Sequence, residues 1–288
     1  MSKEKIMTLI NSDTSVNVSL GFSLAKSQGV DISELINDIE SAWFFILEYA
    51  QSQFPSVQTG HFIKDTMAEI GAEDNAEMLS FLRTLEMLYI NSASPYNRYI
   101  PDSIYLLKSL EILSVVEGEI TYISPRIAEL SELKVLRIVG YKPQTFPDIS
   151  GLKNLKHLMI VDAPCITSID VSELVNISIL RINGCKQIQL PDLSRLSKLR
   201  LLDISDTNID RFPTEVLNLD VGYRYIEMLL TGSKVTCLPD EIMNRKPLAD
   251  TSIRIEMDED CFEKCVMSKR LRKWLLRTRS VEFCEKIW

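Results

Sequence analysis

The chain has 288 residues, 45% hydrophobic and 25% charged, which is the balance of an ordinary globular protein with a sizeable core. Its 32 Lys and Arg stand against 40 Asp and Glu, a net charge of -8 at pH 7. That balance argues against a nucleic-acid binder overall and favours encounters with cationic partners.

The N-terminal stretch MSKEKIMTLINSD is charged and then only briefly apolar, so it lacks the apolar stretch of a secretory signal. No uninterrupted apolar run approaches the ~18 residues that suggest a membrane span. Six cysteines (Cys165, Cys185, Cys237, Cys261, Cys265 and Cys284) are scattered along the chain, and without an export signal reduced thiols are expected. The expectation is a cytoplasmic protein, with delivery as a secreted effector left open.

Residues 1–84 are expected to be helical. VNVSLGFSLAKSQG predicts a helix ended by Gly29. DISELINDIESAWFFILEYAQSQF comes next, with Asp31 or Ser33 as its cap and apolar residues at helical spacing through Ile36, Ile39, Trp43, Ile46 and Leu47. HFIKDTMAEIG and NAEMLSFLRTL are shorter candidates. This region serves either as an end cap for the C-terminal remainder of the chain or as an interaction domain of its own.

From residue 85 a different pattern begins. LEMLYI, LEILSV, LKVLRI, LKHLMI, ISILRI, LRLLDI and a degenerate YIEMLL start at 85, 110, 133, 155, 177, 199 and 225. The intervals are 25, 23, 22, 22, 22 and 26 residues. Second halves also align, as FPDISGL at 146, LPDLSRL at 190, FPTEVLNL at 212 and LPDEI at 238. Self-similarity at this period marks a solenoid. In each L-x-x-L-x-L unit the last two apolar residues lie two apart, on one side of a strand. So short a strand cannot bury that side alone, but stacked copies build a parallel sheet with a continuous core.

The pattern resembles the leucine-rich repeat family in its short variety, over residues 85–244. The resemblance implies an α/β solenoid of about seven repeats, curved, with the sheet on its concave face. The family's ladder residue, usually Asn, falls at Glu119, Lys142, Pro164, Lys186, Asn208 and Lys234. Only Asn208 keeps it, while Cys185 stands one position early in its own copy. An insertion, NSASPYNRYIPDS, is expected to bulge from the first copy. Residues 245–288 are expected to cap the end, with TSIRIEMDEDCFEKC closing the sheet and VMSKRLRKWLLRTRSVEFCEKIW supplying one or two helices.

The third, fifth and seventh positions of each unit should face away from the core. Tyr89, Ile112, Arg137, Val139, His157, Met159, Val161, Arg181 and Asp203 stand at such positions. Apolar ground with a few Arg, Tyr and Met anchors suits a protein interface, so these residues are candidates for binding a partner protein. The plain alternative is that β-branched residues merely suit strands, or that a flank of the chain covers them. Lys269, Arg270, Arg272, Lys273 and Arg277 form a basic amphipathic stretch, a candidate contact for anionic lipid, nucleic acid or an acidic protein. Its plain alternative is a cap helix with solvated charges.

No catalytic motif stands out: there is no Gly-rich phosphate loop, nucleophile elbow or HExxH. Cys261 and Cys265 share a helix face, but the only histidines, His61 and His157, are not at zinc spacing from them. No metal, cofactor or small-molecule substrate is expected. An enzyme alternative rests on His61, Lys64, Asp65 and Glu69 in the N-terminal region. The leading expectation is non-catalytic protein recognition by a stand-alone bacterial protein. Its partner is a toxin it neutralises, a host protein, or a subunit of an assembly.

Overall fold

The computed structural model describes residues 1–53, 75–91, 98–116, 119–219, 226–244, 253–278 and 280–283. The chain forms two compact units, Met1–Gly118 with Tyr122–Leu133, and Glu119–Thr121 with Lys134–Trp288.

The first unit begins with helices α1 (Lys3–Ile10), α2 (Ser15–Gln28) and α3 (Ser33–Gln53), and later α4 (Asn75–Leu82). Gly29 ends α2, as its position predicts. It takes φ 62°, and the Val30 and Gly29 N–H groups donate back to the carbonyls of Ala25 and Lys26, which closes the helix end. Gly21 lets α1 come close, since a Cβ there would sit 2.6 Å from Ile10 Cγ1. Of the two cap candidates for α3, Asp31 reaches the backbone: its carboxylate accepts from the Ser33 N–H at 3.0 Å. Ile39, Ala42, Trp43 and Phe45 form the buried side of α3, and Trp43 stacks on Phe81 with ring centroids 5.4 Å apart.

Arg83 ties the end of α1 in place. Its guanidinium donates to the carbonyls of Ile10 (2.7 Å) and Ser12 (2.9 Å) and to the side chain of Asn11, which satisfies acceptors that a helix C-terminus leaves open. The candidate helix HFIKDTMAEIG lies outside the described residues, as do His61, Lys64, Asp65 and Glu69.

The same unit carries the first two copies. Strands β1 (Met87–Asn91) and β3 (Ile112–Val116) pair in parallel with Leu88 opposite Leu113 and Ile90 opposite Val115. Behind them, β2 (Tyr99–Ile100) pairs with β4 (Tyr122–Ile123). Short 3₁₀ turns at Asp102–Leu106 and Pro125–Glu129 return the chain. Tyr105 of the first turn donates to Asp38 of α3 at 2.9 Å.

The second unit is a run of parallel strands in chain order: β5 (Val135–Val139), β6 (His157–Val161), β7 (Ile179–Arg181), β8 (Leu201–Asp203), β9 (Ile226–Leu229), β10 (Ile253–Met257) and β11 (Val281–Phe283). Register follows the repeat. Leu136, Leu158, Leu180, Leu202 and Met228 form one core column, and Ile138, Ile160, Ile182, Ile204 and Leu230 a second, each at most 1% exposed. Burying one such side chain contributes about 1.5–3 kcal/mol, so two columns outweigh any exposed ion pair on the surface.

Three devices hold the back of this stack, and the first of them recurs. Asp148, Asp170 and Asp192 each accept from the N–H of a serine two residues on, at 2.8–2.9 Å. These hydrogen bonds hold their carboxyl groups below the usual range. Asn208 donates to the Lys186 carbonyl of the preceding copy at 2.7 Å. Cys185, fully buried, points its thiol at the Ile160 carbonyl, 3.5 Å away. Between β10 and β11 lie α5 (Glu259–Lys264) and α6 (Lys269–Thr278), whose Phe262, Leu271 and Leu275 are buried.

Core stacking sets the expected cost of a cavity. Leu158→Ala should lower the free energy of urea unfolding by about 2–5 kcal/mol. Gln187→Ala, at an exposed turn position, should stay within about 0.5 kcal/mol of wild type.

Candidate recognition surface

Side chains alternate along a strand, so the residues between the core columns face outward. In the second unit they form rows across the strands. One runs Val135, His157, Ile179, Leu201, and the next runs Arg137, Met159, Arg181, Asp203, with each residue paired in register to its neighbour on the adjoining strand. Val139 and Val161 are neighbours at the far end. Arg137 is exposed, and His157, Met159, Val161, Val139, Ile179 and Arg181 are half-buried. The ~4.8 Å strand spacing puts Arg137 and Arg181 ~10 Å apart with Met159 between them.

Asp203, expected open on this face, is only 5% exposed, and its carboxylate accepts from the Ser205 N–H at 3.0 Å. It is occupied by its own backbone. Tyr89 and Ile112 lie on the strand pair of the first unit, Tyr89 46% exposed opposite the buried Ser114, and Ile112 half-buried opposite the exposed Met87.

The arginines carry a feature invisible in the sequence. Arg181 Nε is buried and has no hydrogen-bond partner among the described residues. An unsatisfied buried donor costs about 1–3 kcal/mol and calls for an explanation. At the entry side of the same strands lies a hollow of about 190 Å³ lined by His157, Ser178, Ile179, Arg200, Leu201 and Glu227. Burial, with a lesser effect from Lys156, pushes the pKa of His157 down from its ordinary 6.5.

Along the basic helix α6, Lys269, Arg270, Lys273 and Arg277 are exposed. Arg272 is engaged within the chain. Its guanidinium donates to both carboxylate oxygens of Glu263 at 2.9 Å and to the carbonyls of Phe262 and Glu263. With Leu271 and Leu275 buried, the helix packs by its apolar side and leaves four of these five cations in solvent.

Among the described residues no group of three His, Cys, Asp or Glu is placed to hold a metal. Burial pushes the thiols of Cys185 and Cys265 up to about 11, so they stay protonated and unreactive at neutral pH. No described helix is long and apolar enough to cross a membrane.

No protein-family model matches this chain, and no curated protein matches it. Among solved structures it is similar to a leucine-rich repeat protein of Leptospira interrogans, with a TM-score of 0.53 at 22% identity over 73% of this chain. This chain has the leucine-rich repeat fold. It covers 56% of the length of that Leptospira chain. A second match is the Arabidopsis receptor kinase HAESA, solved with a peptide hormone and a co-receptor, at 20% identity and a TM-score of 0.45 over 56% of this chain and 28% of that one.

A histidine whose folded pKa lies below its unfolded value binds a proton more readily when unfolded. Its stabilising contribution is therefore full above about pH 6.5 and falls as pH drops through the window down to the folded value. His157 should titrate below 6.5 by NMR, and His157→Gln should flatten that part of the stability-versus-pH curve; a midpoint at or above 6.5 would contradict the burial argument. Thiol labelling of the native chain should reach the exposed Cys237 well before the buried Cys185 and Cys265, as peptide mass mapping would show.

Proposed function

We propose that this leucine-rich repeat chain is a non-catalytic recognition module that binds a partner protein through the outward strand face of its second unit, centred on Arg137, Met159 and Arg181. The observation that carries the reading is that this face combines half-buried apolar side chains with two arginines, Arg137 and Arg181, that take part in no ion pair among the described residues. The ion pairs of the unit join Lys142 to Glu119, Lys153 and Arg195 to Glu173, Lys186 to Asp206, Arg211 to Glu215, Arg254 to Glu227 and Glu282, and Arg272 to Glu263. Neither Arg137 nor Arg181 takes part among the described residues. Contact with a partner would desolvate Met159, Val139 and Val161 and give the guanidinium groups acceptors, the combination found in the cores of protein interfaces.

Repeat scaffolds of this kind commonly serve recognition, an argument by analogy at the level of the fold. Its five described free cysteines suit action in a reducing compartment such as the cytoplasm. Attachment to a membrane surface or nucleic acid through α6 is less well supported, because its apolar side is buried and Arg272 is held by Glu263.

The test is a pull-down from lysate of the source cell, comparing wild type with Arg137→Glu/Met159→Glu/Arg181→Glu after both are shown to melt alike. A protein retained by wild type and lost by the triple variant is the expected outcome. Equal retention by both would move the binding surface elsewhere on the chain.

A further inference from the structure

The charge on this face is opposite to the charge of the chain. The chain carries -8 overall, yet the outward side of β5–β8 and the residues entering those strands present Arg137, Lys156, Arg181 and Arg200. The carboxylate in those rows is Asp203, and it is 5% exposed and bonded to the Ser205 N–H. Glu227 comes next on β9, but Arg254 stands 3.7 Å from it. From β5 to β8 the outward rows therefore carry cations as their accessible charges, with the exposed Asp162 and Asp206 lying just past the ends of β6 and β8.

We infer that the partner segment seated on β5–β8 is acidic, a peptide stretch that sets Asp or Glu carboxylates against Arg137 and Arg181 and apolar side chains against Met159, Val139 and Val161. This inference rests on the proposed recognition role and names the chemistry of its ligand. Three observations point the same way. Arg181 Nε has no acceptor among the described residues, as is also true of Trp43 Nε1 and Arg83 Nε in the first unit, but Arg181 stands on the outward strand face, where a carboxylate is the acceptor its guanidinium takes in a paired, two-bond geometry. Arg137 and Arg181 flank Met159, so the surface asks for two anionic groups ~10 Å apart with an apolar group between them. Lys156 and Arg200 extend the cationic strip toward the start of the strands, and Arg200 lines the 190 Å³ hollow.

A nucleic acid is the rival polyanion, and the face suits it poorly. Four cations give few phosphate contacts, and the apolar ground between the arginines contributes nothing to a phosphate. A peptide uses both parts of the surface.

The experiment selects displayed random 16-residue peptides on the immobilised full chain, then measures the recovered peptides by fluorescence anisotropy. The proteins compared are wild type, Arg137→Gln/Arg181→Gln, and Lys269→Gln/Arg270→Gln on α6 as a control of equal charge change. Each peptide is also made with Gln and Asn in place of Glu and Asp. The expected result is peptides enriched in Asp and Glu beside apolar residues. Their affinity should fall at least tenfold in the Arg137/Arg181 variant and in the amide peptides, weaken with added salt, and change little in the α6 control. Recovered peptides with no acidic bias that still need Met159, tested by Met159→Glu, would overturn the acidic ligand while leaving the recognition role standing. Peptides that bind all variants alike, or no recovered peptides at all, would overturn both. A single-stranded oligonucleotide that binds tighter than the peptides, and is lost in the Arg137/Arg181 variant, would also overturn the inference and make the strip a nucleic-acid contact.

Discussion

A strand of three to five residues with two inward apolar side chains has nowhere to put them by itself. The rest of the structure depends on that constraint. Each copy covers the inward residues of its neighbour, so Leu136, Leu158, Leu180 and Leu202 meet in register, as do Ile138, Ile160, Ile182 and Ile204. Parallel pairing is obligatory, because every copy enters its strand from the same side after the same return path. The core is thus one-dimensional, and stability accumulates from one neighbour to the next.

The return path carries its own constraints. At the eighth position of successive copies the backbone turns left-handed: Gly140 (φ 81°), Asp162 (51°), Gly184 (74°), Asp206 (54°) and Gly232 (66°). Glycine accepts that conformation freely, and Asp tolerates it better than most residues. Fixing the turn there fixes the register of the next strand. The aspartate–serine turns at Asp148, Asp170 and Asp192 fix the far side of the loop at the same 22-residue period. Backbone polar groups are thereby satisfied where no sheet is available to pair them.

Much of this was legible in the sequence. The apolar pegs gave the strands, their starts and their register, because burial is decided by spacing. The helical character of Ser15–Gln28 and Ser33–Gln53 was legible for the same reason, and Gly29 for its left-handed backbone, whereas Lys3–Ile10 was not singled out within the helical region. What escaped were the corners. SIDVSEL at 168 is a copy of FPDISGL and LPDLSRL without the proline, and only its Asp170–Ser172 turn reveals it. The Gly and Asp series at position eight is a pattern of backbone conformation, hidden from any search for apolar repeats. On the candidate surface, alternation named the outward residues, but it had no means of separating Asp203 from its neighbours. Parity gives the side of the sheet on which a side chain begins. Whether that side chain then folds back onto its own backbone depends on the turn two residues later.

The same division explains where function can vary. Inward positions are held by packing, and turn positions by backbone geometry. Outward positions on the strands are held by neither, so they are free to carry chemistry. Around Arg137 and Arg181 two cations stand on neighbouring ground with no anion between them, and Arg181 Nε has no acceptor among the described residues. On the back of the same unit the opposite choice is made, where Lys153, Glu173 and Arg195 link three copies by ion pairs. A chain with 40 carboxylates had ample means to neutralise its strand face as well. On the proposed role, a ligand bringing acceptors would break no existing ion pair of Arg137 or Arg181 among the described residues, so binding there would carry no such cost.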